Sequence, residues 1–120
     1  MKKVLVVEDD GIIAKAMNIR LRNMGYDVAV ANDAVYAMDR AVKYQPDVAI
    51  LDINLPGGSG LMVAERMMST AETAAIPIIF VTASKRAEFR HKALELGIGE
   101  FLEKPLQSSE LIDAIERVCH

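Results

Sequence analysis

Four short apolar runs in this chain each end on charged or hydroxyl side chains, and that recurrence restricts the fold more than any other feature. Val4-Leu5-Val6-Val7 hands over to Glu8-Asp9-Asp10, and Val48-Ala49-Ile50-Leu51 to Asp52. Ile78-Ile79-Phe80-Val81 hands over to Thr82, and Phe101-Leu102 to Glu103-Lys104. Unbroken apolar runs of this length suit strands covered on both faces of a sheet. A fifth run differs: Tyr26, Val28 and Val30 alternate with Asp27, Ala29 and Ala31, which predicts a less buried strand near a sheet edge.

Segments with helical spacing lie between the runs. Residues 11–24 bring Ile13, Ala16, Met17, Leu21 and Met24 to one face, with Asp10 placed to cap and Gly25 to stop the helix. Asn32-Asp33 offers a cap to a second helix with Ala34, Ala37, Met38, Ala41 and Val42 inward, closed by Pro46. Residues 61–69 align Leu61, Ala64, Met67 and Met68; residues 85–96 align Phe89, Ala93 and Leu96 before Gly97. Ser108-Ser109-Glu110 opens the last helix, with Leu111, Ile112, Ile115, Val118 and Cys119 inward. Met residues at these spacings fill a core, a far commoner role than ligand binding.

Strands and helices thus alternate five times, and each crossover is long enough to return the chain parallel. A closed barrel of such units needs eight, so the pattern predicts an α/β fold, a flavodoxin-like doubly wound (βα)5 with a parallel five-stranded sheet of order 2-1-3-4-5. At 120 residues the chain is expected to be one domain, 1–120. Acidic residues follow the first apolar run too soon for a leader or a membrane span, so a cytoplasmic protein is expected. The single Cys119 has no partner for a disulfide, and no redox or zinc motif is present. Isolated His91 and His120 are expected at the surface. A net charge of −3 without a Lys/Arg cluster argues against nucleic acid as a partner of this domain.

The predicted strand order brings Glu8, Asp9 and Asp52 together, with Thr82 one strand away and Lys104 two. Carboxylates on neighbouring strand ends, about 5 Å apart by sheet spacing, repel unless a cation lies between them. With oxygen ligands alone, that cation is expected to be Mg²⁺ or Mn²⁺. A metal, a carboxylate, an ammonium and a hydroxyl together suit phosphoryl chemistry: the carboxylate attacks phosphorus, the cations neutralise the equatorial oxygens and Thr82 donates a hydrogen bond. The product is an acyl phosphate. Singly, the acids would be a solvated loop, Thr82 a helix cap, and Lys104-Pro105 a turn bearing a surface charge. Together those readings demand four coincidences at four productive strand ends.

These residues resemble the receiver domains of bacterial two-component response regulators, of which the stand-alone chemotaxis regulators are the nearest in length. The matching pieces are Val6-Val7-Glu8-Asp9, Leu51-Asp52-Ile53-Asn54-Leu55-Pro56 with Gly60, Val81-Thr82-Ala83 and Lys104-Pro105. The resemblance implies that Asp52 is the phosphoacceptor, and that Asp9, Asp52 and the carbonyl of Asn54 bind Mg²⁺ while Glu8 acts through a metal-bound water. It also implies that Thr82 and Lys104 hold phosphoryl oxygens, that Ala83 leaves room for the group and that the bond before Pro105 is cis. Phe101 falls at the aromatic switch position. The implied partners are a sensor histidine kinase or histidine phosphotransfer protein and a downstream output protein or domain. The implied output surface is that of helix four, strand five and helix five; dimerisation is compatible with it, and no membrane is involved. Such a domain catalyses its own aspartyl phosphorylation and slow dephosphorylation and is no conventional enzyme. Three positions depart from the family's commonest residues: Glu8 stands for Asp, Ser59 for Asp, and Phe101 for Tyr, which removes an outward hydroxyl. The Gly57-Gly58 pair is expected to loosen the loop beside the site.

Other functions fit less well. A haloacid-dehalogenase-type hydrolase needs a second Asp two residues after the nucleophile, where this chain has Asn54, and a cap domain. A nucleotide- or flavin-binding domain needs a phosphate loop, which Gly57-Gly58-Ser59-Gly60 does not match. A degenerate receiver serving only as an interaction module would not need all five site positions filled.

Overall fold

A computed structural model describes residues 2–55, 57–83 and 87–119. Pro56, Ser84, the first two residues expected in the fourth helix (85–86) and His120 lie outside the described residues. In chain order the elements are β1 (Lys3–Val7), α1 (Gly11–Asn23), β2 (Asp27–Ala31), α2 (Ala34–Tyr44), β3 (Val48–Asp52), β4 (Asn54–Leu55) and β5 (Gly58–Ser59). There follow α3 (Gly60–Ser69), β6 (Ile78–Thr82), α4 (Ala87–Glu95), β7 (Phe101–Glu103) and α5 (Ser108–Val118).

The main sheet is parallel throughout and runs β2-β1-β3-β6-β7, which is the expected 2-1-3-4-5 order. Strand periodicity sorts its side chains onto two faces. Leu5, Val7, Ala49, Leu51 and Phe80 pack with Ala34, Ala37 and Ala41 of α2, Val63, Ala64 and Met67 of α3 and Ala93 of α4. Val4, Val6, Val48, Ile50, Ile79 and Val81 pack on the other face with Met17 and Leu21 of α1 and Leu111, Ala114 and Ile115 of α5. Each Val, Leu, Ile, Met or Phe side chain among them, fully buried, contributes about 1.5–3 kcal/mol. β2 lies at the edge, as its alternation predicts, and carries half-buried Ala29 and Val30. Among the described residues no helix is long and apolar enough to cross a membrane.

Asp10 caps α1 by accepting from the amides of Ile12 and Ile13, and Asp33 caps α2 by accepting from Tyr36. Several local expectations need correction. α1 buries Ala14 rather than Ala16, because its contact stripe runs Ala14-Met17-Leu21. α3 buries Val63 and leaves Met68 at 42% exposure; Val42 of α2 is likewise 39% exposed. α5 begins after Gln107 without a side-chain cap, so Ser108 is its first residue and not its capping group. His91 is exposed as expected, but it is paired, with Nε2 3.1 Å from Glu95 Oε1 one turn on.

After β3, β4 and β5 pair antiparallel, Asn54 opposite Ser59 and Leu55 opposite Gly58. The return needs positive φ at Gly57 (79°) and Gly58 (151°), which residues other than glycine adopt at a cost. Ser59 then caps α3 by accepting from the amide of Met62.

Candidate functional site

β3 and β6 each extend one residue further than the apolar pattern indicates. Asp52 pairs in register with Val81, and Thr82 with Glu103, so both belong to the last rungs of the sheet. Their backbones are held by the ladder, which fixes side chains more tightly than a loop would. Glu8 follows β1 directly, and its amide donates to the Ala31 carbonyl at 3.0 Å. Lys104 follows β7, and its amide donates to the Thr82 carbonyl at 2.8 Å.

Fold order therefore converges four elements on one edge. Glu8 (2% exposed), Asp52 (6%) and Thr82 (0%) are buried there, whereas Asp9 is exposed. Lys104 Nζ donates to Asp52 Oδ2 at 3.0 Å and to Glu8 Oε1. Glu8, Asp9 and Asp52 each present a carboxylate oxygen, and these lie within 4.8 Å of one another. Three carboxylates facing one ammonium leave negative charge uncompensated, and hard oxygen donors without His or Cys suit a divalent cation.

Burial pushes the Glu8 carboxyl up from its ordinary 4.5 to about 7; the Lys104 hydrogen bond lowers it and neighbouring Asp52 raises it. For Lys104, burial works downward, but the hydrogen bonds it donates to Glu8 and Asp52 outweigh it and the ammonium is held above its ordinary value. The second carboxylate oxygens of Glu8 and Asp52 each accept one backbone amide. Asp10 N donates to Glu8 Oε2 at 3.2 Å, and Asn54 N to Asp52 Oδ1 at 3.1 Å.

Of the other residues singled out from the sequence, Asn54, Ala83 and Pro105 adjoin this edge along the chain, and Phe101 lies two residues before Glu103 on β7. Asn54 and Ala83 are exposed beside Asp52 and Thr82 in the chain, and the Lys104-Pro105 bond is cis. Phe101 is partly buried, its ring 6.3 Å from that of Phe80 at 61°, edge to face. Sequence reasoning missed two supports. Asn32 Nδ2 donates to the Glu8 carbonyl at 3.2 Å and pins the acid-bearing loop; the polar residue ending the second strand was the available signal. Gly60 backs directly onto Asp52, and a methyl group there would overlap the Asp52 carbonyl. Only the glycine's presence after the loop hinted at this.

The family model described as "Response regulator receiver domain" matches residues 4–116. The DNA-binding dual master transcriptional regulator RpaA of Synechocystis sp. is 32% identical over 112 residues, 93% of this chain. That match spans 46% of the relative's own length, so this chain corresponds to about half of it. Among solved structures, chemotaxis protein CheY4 of Vibrio cholerae superposes with a TM-score of 0.91 at 29% identity, covering 98% of each chain. The non-phosphorylated HemR receiver domain of Leptospira biflexa gives 0.87 at 31% identity, covering 99% of this chain and 94% of that one.

Proposed function

The chain belongs to the response regulator receiver domains, and on that premise we propose that it is a phosphorylation-controlled switch whose phosphoacceptor is Asp52. The observation that carries this reading is the Lys104 ammonium held by both buried acids, with the Asp9 carboxylate beside them. A sensor histidine kinase or a histidine phosphotransfer protein is the proposed donor. An Asp52 oxygen attacks the phosphorus of the donor's phosphohistidine, the P–N bond breaks with the electron pair returning to the imidazole, and a P–O bond forms. Lys104 then exchanges part of its contact with Asp52 for a phosphoryl oxygen, and Thr82 donates its hydroxyl to another. Ala83 offers only a methyl group, which leaves room for the phosphoryl group. Bound by Asp9, Asp52 and the Asn54 carbonyl, with Glu8 acting through a water, Mg²⁺ (or Mn²⁺) would supply charge neutralisation for the transferring group. Slow hydrolysis, water attacking phosphorus and releasing the carboxylate, resets the switch.

The output proposed is a change in the α4, β7 and α5 surface, relayed by Phe101 to a downstream protein or domain, in the cytoplasm and without nucleic acid or membrane contact by this domain. The test is mass spectrometry after incubation with acetyl phosphate, with and without Mg²⁺. One added phosphoryl group, Mg²⁺-dependent, labile to hydroxylamine and lost in Asp52→Asn, is expected. Equal labelling of the variant at Asp9 or Glu8 would overturn the choice of acceptor. Calorimetry supplies the metal arm: Asp9→Ala is expected to weaken Mg²⁺ binding severely, and unchanged affinity would remove Asp9 from the ligand set.

A further inference from the structure

Arg90 of α4 reaches across to β7 and grips it at two points. Its guanidinium carbon lies 5.1 Å above the centroid of the Phe101 ring, and Nη2 lies 3.4 Å from Glu103 Oε1. Phe101 and Glu103 are two residues apart on one strand, so their side chains leave the same side and one planar guanidinium can serve both. The Phe101 ring also meets that of Phe80, its fully buried register partner in β6, with centroids 6.3 Å apart. Phe101 thus touches both a fixed aromatic of the core and the charged, exposed side chain of Arg90.

Packing alone does not immobilise that ring. Beside it is a hollow of about 100 Å³ lined by Arg90, Leu94, Ile98, Gly99 and Phe101, with Leu94 60% exposed at its rim. The hollow exceeds the roughly 30 Å³ share of one liquid water, so the ring has space to shift once its cover moves. The cover is also tied to the acidic edge. Glu103 pairs in register with Thr82 and immediately precedes Lys104, whose amide donates to the Thr82 carbonyl. A displacement of Thr82 or Lys104 is therefore passed to the carboxylate that Arg90 grips.

The geometry points to Arg90 as a clamp that holds Phe101 in its partly buried position and fastens α4 to β7 in the resting state, released when the Thr82–Lys104 edge moves. This deepens the receiver reading proposed above and rests on it for the trigger, though not for the clamp itself. An exposed ion pair and a cation–π contact are each weak, and together they are of the size that changes a two-state ratio about five-fold. That suits a latch that must open.

The experiment is a comparison of wild type, Arg90→Gln and Arg90→Lys by NMR, following the Phe101 ring and the amides of residues 94–103, free and with beryllofluoride plus Mg²⁺. In the free protein, Arg90→Gln should move these signals part of the way toward the wild-type beryllofluoride positions, equivalent to about a five-fold shift in the ratio of states. Arg90→Lys, which keeps the charge and loses the plane, should move them less, and high salt should reproduce part of the effect in wild type. Free-state signals of Arg90→Gln that superpose on wild type overturn the clamp, whatever beryllofluoride does. If beryllofluoride leaves the amides around Asp52 unmoved in wild type, the receiver reading fails, and the free-state comparison still decides the clamp.

Discussion

Lys104 Nζ lies 3.0 Å from Asp52 Oδ2 across 52 positions of sequence, and the same ammonium donates to Glu8. Two buried acids are thereby kept close together by one cation. Removing a partner from such a group exposes the desolvation cost of those that remain.

Lys104→Met should therefore destabilise the fold by about 2–3 kcal/mol at pH 7, less than for a fully buried pair because the ammonium keeps some contact with water. The loss should shrink near pH 5, where Glu8 can take up a proton. Urea denaturation at both values checks this, and an equal loss at each would separate the stability of the fold from the charge of the acids.

Glu8 carries a pH dependence of defined sign. Below about 4.5 its carboxyl is protonated in folded and unfolded chains alike; between 4.5 and about 7 the unfolded chain releases a proton that the folded chain retains. Stability contributed by this group is thus fully present below 4.5 and falls as pH rises through about 7, by an amount on the order of 3 kcal/mol. Subtracting the stability curve of Glu8→Gln from that of wild type should isolate this slope, and a flat difference curve would contradict it.

Gly60→Ala places a methyl group against the carbonyl of Asp52, which is backbone and cannot swing aside. An overpacking cost of about 1–3 kcal/mol is expected. Labelling by acetyl phosphate should slow as well, although no side chain of the acidic edge has changed. Thermal denaturation and timed mass spectrometry measure the two effects separately.

Phe101 and Phe80 form a contrast. Phe80→Ala empties a fully buried site and should cost about 3–5 kcal/mol, whereas Phe101→Ala, at a partly buried ring, should cost clearly less. If Phe101 relays the signal, its variant should still be phosphorylated while the amide shifts of residues 87–102 no longer follow. Shifts equal to those of wild type would make Phe101 a passive core residue.

Much of the fold was legible because it is written locally. Val4 to Val7, Val48 to Leu51 and Ile78 to Val81 read as strands from side-chain type alone, and Asp10 and Asp33 announced the helices they cap. The misreadings lie where a choice depends on what a neighbour covers. Ala14 rather than Ala16, and Val63 rather than Met68, face inward because the sheet surface beneath each helix decides the stripe. Arg90 carried no local sign of its grip on Phe101 and Glu103, and Asn32, though marked as a polar residue ending a strand, did not reveal that its partner is the Glu8 carbonyl 24 residues away.

By itself, the sequence determined which residue types stand at the strand ends and, through the alternation of strand and helix, that those ends share one edge. Only the tertiary structure decided that Glu8 and Asp52 are buried while Asp9 meets solvent, and that Lys104, 96 positions from Glu8, supplies the cation between them. The reason is physical: a carboxylate's affinity for its proton, and for a cation, is set by the water it loses and the charges brought beside it, and both are properties of the folded edge rather than of the residue.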